Sequence, residues 1–154
     1  MFCYRWEDVF SMQKISMKKL SESFVLWGIG GTIYYMLEVA FRGFSHWSMF
    51  VLGGICMLFF GKQGLWTEWK DPMWKQVLRC TTFITAGEFI TGMFVNKLMK
   101  WDVWDYSDQP MNLFGQICMP FIILFSGLCV IGLFISGYLL HWVYHEKNPH
   151  FHVL

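Results

Sequence analysis

Charge is what this sequence has least of. Only 15% of its 154 residues are Asp, Glu, Lys or Arg, against about 25% in an ordinary soluble domain. A soluble chain of this size needs a charged surface to stay dispersed. Here 55% of the side chains are apolar, and the few charges cluster near the two termini and in short connectors. The net charge is +1, which gives no broad basic field and excludes nucleic acid as an expected partner.

Motifs are missing as well. Cys3, Cys56, Cys80, Cys118 and Cys129 are odd in number, and no two have C-x-x-C spacing. Neither a disulfide framework nor a sulfur-based metal site is expected. Cys56, Cys118 and Cys129 lie in apolar runs, where a free thiol packs as a small apolar group. No G-x-x-x-x-G-K-[ST] loop is present, so the chain alone has no means of driving transport with ATP. H-E-x-x-H and G-x-S-x-G are also absent. No catalytic constellation, metal or cofactor is expected. The first twenty residues carry Arg5, Glu7, Asp8, Lys14, Lys18 and Lys19 and no apolar core, so no cleavable signal peptide is expected.

What is abundant is long apolar sequence. A bilayer core of about 30 Å takes roughly 20 mostly apolar helical residues. Four segments meet that need, at about 23–41, 47–65, 76–98 and 115–142. The last is clearest, with no charged residue from Met111 to Leu140. A buried strand would be far shorter. The predicted fold is therefore all-α: a polytopic four-transmembrane-helix bundle spanning 21–144. Residues 1–20 are expected to form an amphipathic interfacial helix, with Phe2, Trp6, Val9, Phe10 and Met17 toward lipid and Lys14, Lys18 and Lys19 toward headgroups. Residues 145–154 are read as a tail. Repeats, linkers and low-complexity tracts are not seen, which argues for one domain.

Connector charges set an expected orientation. Arg5, Lys14, Lys18 and Lys19 precede the first span, and Lys62, Lys70, Lys75 and Arg79 surround the second connector. Both termini and the 62–75 loop are thus expected on the cytoplasmic side of the cell membrane, with 42–46 and 99–112 outside. Trp27, Trp47, Trp66, Trp74, Trp101, Trp104 and Trp142 fall near span ends, where an aromatic belt would place them.

Two carboxylates lie inside spans, Glu38 in the first and Glu88 in the third. A charge in hydrocarbon is costly unless paired, protonated or in a wet cavity, so each is a candidate functional residue. Glu38 precedes Arg42 by four residues, a spacing that also allows an ordinary helical ion pair. Thr81, Thr85, Glu88, Gly92 and Asn96 recur at helical intervals and share a stripe; Gly31, Tyr34 or Tyr35, Glu38 and Arg42 form another. The two stripes are expected to face each other, either lining a solute pathway or packing helix on helix.

The third connector alternates acids with aromatics: Asp102, Asp105, Tyr106 and Asp108, followed by Pro110, Asn112 and Gln116. It reads either as an outer mouth that attracts a cation or amine, or as a folded loop capping the bundle. In the second case Asp108 and Asn112 accept backbone N–H bonds. His46 suits a helix cap, and His141 and His145 share a face at i,i+4, a spacing compatible with metal binding but without helpers.

The stretch Trp104-Asp105-Tyr106-Ser107-Asp108-Gln109-Pro110-Met111-Asn112-Leu113-Phe114-Gly115-Gln116-Ile117-Cys118 resembles the signature of the putative ABC-transporter type IV family, the CmpB-like permeases, whose pattern is close to W-D-Y-S-x-x-P-x-N-L-x-G-x-I-C. Glu38, Glu88 within Ala86-Gly87-Glu88-Phe89-Ile90-Thr91-Gly92, and the Arg42-Gly43 pair resemble further family features, so the likeness covers roughly 23–140. Gln116 departs from it, since an arginine is usual there, and the segment between the first two spans is shorter. The resemblance implies a small multispan permease acting as an oligomer or beside a separate ATPase. An accessory or sensor subunit without transport stays open, as does a lipid-modifying membrane enzyme using Glu88 and Asp105 as acid and base.

Overall fold

The computed structural model describes the backbone of residues 6–152 and the side chains of residues 14–152. Within them four helices form and no strand, apart from an isolated antiparallel bridge between Leu113 and Ile117. The helices are α1 (Trp6–Arg42), α2 (Trp47–Trp66), α3 (Met73–Gly92) and α4 (Met119–Tyr144). A six-residue π-helical segment, Met93–Leu98, extends α3. Lys14–Arg42, Trp47–Trp66 and Met119–Tyr144 are long and apolar enough to cross a membrane. α3 is more polar, carrying Lys75, Arg79 and Glu88 within its 20 residues.

The boundaries depart from the sequence reading in two places. α1 is one unbroken helix of 37 residues, about 55 Å long at 1.5 Å per residue. No break separates an N-terminal interfacial helix from the first span, because no Pro or Gly interrupts the chain between Trp6 and Trp27. The side chains of Phe2, Trp6, Val9 and Phe10 lie outside the described residues, as does Cys3. α4 starts at Met119 rather than 115, because Leu113 N–H bonds the Ile117 carbonyl at 2.9 Å and curls the preceding segment into a turn. Pro120 then sits in the first turn of α4, where its missing N–H has no partner to lose.

α1 packs along α2, and α2, α3 and α4 pack on one another. The α1–α2 approach is close enough that a Cβ on Gly53 would overlap the Cβ of Tyr34 and crowd the Gly30 carbonyl. The core holds Met49, Cys56, Met57, Phe60, Cys80, Ile84, Cys129 and Leu133. Cys56, Cys80, Cys118 and Cys129 are buried free thiols.

Side-chain contacts define the two ends of the bundle. At one end Lys18 reaches Glu146 (2.5 Å), Lys147 pairs with Glu68, and the Met73 N–H bonds the His152 carbonyl (2.8 Å). The start of the apolar part of α1, the end of α2, the start of α3 and the end of α4 therefore meet there. Trp69, fully buried in the α2–α3 connector, is covered by Phe151 with ring centroids 5.3 Å apart. The opposite end holds Arg42, the 43–46 turn and the 99–118 loop.

Candidate functional site

Glu38, Glu88, Asn96 and Gln116 gather toward the loop end of the bundle. Glu88, on α3, is 2% exposed and accepts a hydrogen bond from the Tyr34 hydroxyl of α1. Tyr34 extends over Gly53 of α2 to get there. α1 and α3 do not pack on each other, so the two polar stripes meet only through this tyrosine. That corrects the expectation of two directly apposed faces. α2 lies between them because its glycines admit α1 so closely.

One turn nearer the loop, Glu38 accepts from Arg42 and, at 2.7 Å, from the Ser45 hydroxyl. Arg42 also donates to the Val103 carbonyl (3.4 Å), tying α1 to the loop above. Thr81 and Thr85 on α3 have buried hydroxyls without a partner among the described residues. Thr85 thus shares the helix with Glu88 but not its hydrogen-bonding set.

Asn96 organises the loop. It sits in the π-helical segment, a local widening often found where a side chain must be re-aimed. Its amide donates to the Trp104 carbonyl (3.0 Å) and to Gln116 Oε1 (2.8 Å), and its oxygen accepts from Val103 N–H (2.8 Å). Gln116 is 1% exposed and donates to the Phe114 carbonyl (3.1 Å); Trp104 Nε1 donates to the Gln116 carbonyl (3.1 Å). Trp104 is therefore buried beneath the loop rather than placed in an interfacial belt. A Cβ at Gly92 would run into Gln116 Oε1, so only glycine lets Gln116 lie on α3, one turn from Glu88.

The exposed half of the loop is held by its own Asx contacts. Asp105 accepts from Ser107 N–H (2.9 Å) and Ser107 Oγ (2.5 Å), and those bonds lower its pKa. Asn112 donates to the Ser107 and Gln109 carbonyls and accepts from Gly115 N–H (3.2 Å). Asp105, not Asp108, thus takes the loop's backbone N–H. Asp102 and Asp108 are exposed. Tyr106 turns inward and stacks on Phe121 of α4 at 4.4 Å. Burial raises its pKa, and the nearby Glu88 and Glu38 carboxylates push the same way against Arg42, so the phenol stays a proton donor.

Elsewhere, His46 caps α2 through Nδ1, which accepts from Ser48 N–H at 3.3 Å. His145 ends α4 with φ 56° and leaves the helical face, so it does not pair with His141, whose Nδ1 meets the Glu146 carbonyl (2.9 Å). Among the described residues no cluster of three His, Cys, Asp or Glu could hold a metal ion. A buried glutamine pair that no motif marks, Gln63 and Gln76, lies near the other end with side chains bonded at 3.1 Å. Two uncharged amides inside apolar helical runs were the available signal.

Chemically, the site offers a buried carboxylate held by one phenol, an ion pair one turn away, and a hydrogen-bonded loop over both. Searches among curated proteins and among solved structures find no significant match. A family model does match, over residues 2–153, and three helices are suited to crossing a bilayer. This chain is a membrane protein and belongs to the putative ABC-transporter type IV family.

Proposed function

We propose that the chain is a permease subunit of the cell membrane, moving a small solute or ion as an oligomer or together with a separate ATPase. The observation that carries this reading is Glu88. A carboxylate 2% exposed within a membrane-length bundle, with a single tyrosine partner, is a poor fastening and a good relay or ligand group. Glu38 and Arg42 continue its polarity toward the loop. Four helices are few for a solitary transporter, which favours a shared pathway between subunits.

Four crossings are part of the proposal. α2 ends at the bundle end where α3 begins, and α4 begins at the opposite end. If α2 and α4 each cross, α3 must return between them despite its charges. An even number of crossings leaves both chain ends on one side, and the lysines around Lys18 and Lys62 favour the cytoplasmic one.

The test is flux through proteoliposomes, followed with pH-, sodium- and potassium-sensitive dyes and a panel of radiolabelled amines. Wild-type protein should carry at least one of these, and Glu88→Gln should abolish it. Flux unaltered by Glu88→Gln would remove Glu88 from the pathway.

A second reading, a non-transporting accessory subunit, draws support from the outer loop. Asp105 and Asn112 are occupied by the loop's own bonds, which suits a rigid interface. Purification in mild detergent distinguishes the two: a stable larger complex favours the accessory role, and an active homo-oligomer opposes it. The lipid-modifying enzyme has no such support, because Asp105 is exposed and bonded to Ser107 while Glu88 is buried with Tyr34.

A further inference from the structure

Two cavities lie end to end along α1, one of about 180 Å³ between α1 and α4 over a floor of α2, the other of about 300 Å³ between α1 and α4. Tyr34, Leu37 and Leu128 line both. Together they run beside α1 from Gly30 to Arg42, a rise of about 18 Å at 1.5 Å per residue. That is close to the hydrocarbon depth of one leaflet, about 15 Å. The deeper cavity is walled almost wholly by apolar side chains and glycines. Polarity gathers at the other end, where Glu38, Arg42 and Tyr106 close the groove.

The groove opens sideways. Phe41, Leu124 and Ile131 on its rim are 72%, 39% and 56% exposed, and at that depth a membrane protein meets hydrocarbon. A water-soluble solute has no route through such an opening, whereas a molecule already in the bilayer does. Its head would meet an ion pair with unused capacity. The guanidinium has five N–H donors, of which the structure engages one on each terminal nitrogen, with Glu38 and Val103. Guanidinium donors suit a phosphate. Glu38 balances the charge of Arg42, so this end of the groove is neutral overall and complements a head carrying both an anion and a cation.

From this geometry we infer that the α1–α4 groove binds a zwitterionic glycerophospholipid from the bilayer. One acyl chain lies along Leu37 and Leu128, the phosphate on Arg42, and the head-group ammonium toward Glu38. This goes beyond the permease reading, whose water-soluble solute does not enter by the groove, and binding is measurable without any flux.

The experiment uses the full chain in nanodiscs of phosphatidylcholine containing a phosphatidylethanolamine with a diazirine in mid-chain. After illumination, adducts are mapped by mass spectrometry. Labelling should concentrate at Leu37, Leu128 and Ile131. Leu128→Trp, which fills the groove, should lower it about tenfold, and Leu37→Trp serves equally where Leu128→Trp fails to elute as a single species. Leu78→Trp, on an exposed face of α3, should leave it unchanged. The neutral double variant Glu38→Gln/Arg42→Gln should lose preference for phosphatidylethanolamine over a phosphatidylglycerol probe. Labelling spread over all exposed helices, and indifferent to both groove-filling variants, would mean annular lipid only and overturn the site. Loss of flux in Glu88→Gln with groove labelling intact supports both readings. Groove labelling without any flux in the wild type retains the site and removes transport by the chain acting alone as an oligomer.

Discussion

The hydroxyl of Tyr34 on α1 donates to the carboxylate of Glu88 on α3, across helices that do not otherwise pack together. Everything that places this bond is apolar. Gly53 lets α1 lie close on α2, and the tyrosine ring passes over that glycine to reach α3. The polar contact depends on the packing, so the two can be separated by mutation.

Tyr34→Phe removes the donor and leaves the shape. Hydrogen bonds between membrane helices average about 0.6 kcal/mol and reach about 1.7 in double-mutant cycles. Burial of a newly unpaired carboxyl pushes this one toward the upper figure. Tyr34→Phe should therefore cost about 1–2 kcal/mol in detergent unfolding. Glu88→Gln, which keeps an acceptor, should cost less, whereas a cycle of Tyr34→Phe with Glu88→Leu, which removes the acceptor, should show a coupling of about 1 kcal/mol. Additive single effects would mean that the bond contributes nothing to stability.

The helices were legible in the sequence because hydrocarbon demands length. A charge-free run of about 20 residues has few alternatives to a helix, and α2 begins at Trp47, where the expected span does. Glu88 and Asn96 stood out because polarity is rare against that background. Their partners did not. Tyr34 is one of two adjacent tyrosines, and choosing between them requires the α1–α2 approach set by Gly53. Trp104 read as an interfacial residue because its burial depends on Asn96 and Gln116, which lie 8 and 12 residues from it along the chain. Non-local hydrogen bonds of this kind leave no periodic trace.

Close approach gives a second, independent prediction. A methyl at Gly53 has no room beside Tyr34, so Gly53→Ala should destabilise the bundle by about 1–3 kcal/mol through overpacking. It should also displace Tyr34 and weaken its bond to Glu88. Gly28→Ala, where nothing lies within 4 Å, should be neutral or slightly stabilising, since glycine in a helix interior costs about 0.5–1 kcal/mol relative to alanine. Thermal melting in one detergent compares the two. Equal effects would show that the α1–α2 contact is looser than described.

Asn96 satisfies two carbonyl-type acceptors and one backbone donor at once. Asn96→Ala strands all three beneath the loop, at about 1–3 kcal/mol for each buried group left unmade. The expected result is loss of the loop's resistance to protease near Trp104, with total destabilisation of at least about 3 kcal/mol. Asp108→Ala, at an exposed position, should lie within about 0.5 kcal/mol of wild type.

Gln116 stands where the family resemblance would have an arginine, and it lies against Gly92, one turn from Glu88. An arginine there would lose the acceptor used by Asn96 but bring a guanidinium toward the Glu88 carboxylate. Gln116→Arg should therefore be tolerated better with Glu88 present than without it. In a Glu88→Gln background the buried charge is unpaired, a state that typically costs about 3–5 kcal/mol. A double-mutant cycle reads the difference, and simple additivity would show that position 116 and Glu88 do not communicate.

The tail gives a prediction from pH. Glu68 accepts from Lys147 and, at 2.6 Å, Lys70, and these bonds lower its pKa from 4.5 to about 2. A carboxylate depressed in the folded state stabilises that state above its ordinary pKa, and the contribution disappears as pH falls through the folded value. Docking of the tail should accordingly weaken between pH 4.5 and about 2. The reporter is exchange protection of the Met73 amide, which bonds the His152 carbonyl at 2.8 Å, corrected for the intrinsic pH dependence of exchange. Because the pair is exposed, raised salt should weaken docking at neutral pH as well. Glu68→Gln should already be weakened at pH 7 and show no further step on acidification. Protection that is identical in the variant and the wild type across this range would assign tail docking to the Trp69–Phe151 contact alone.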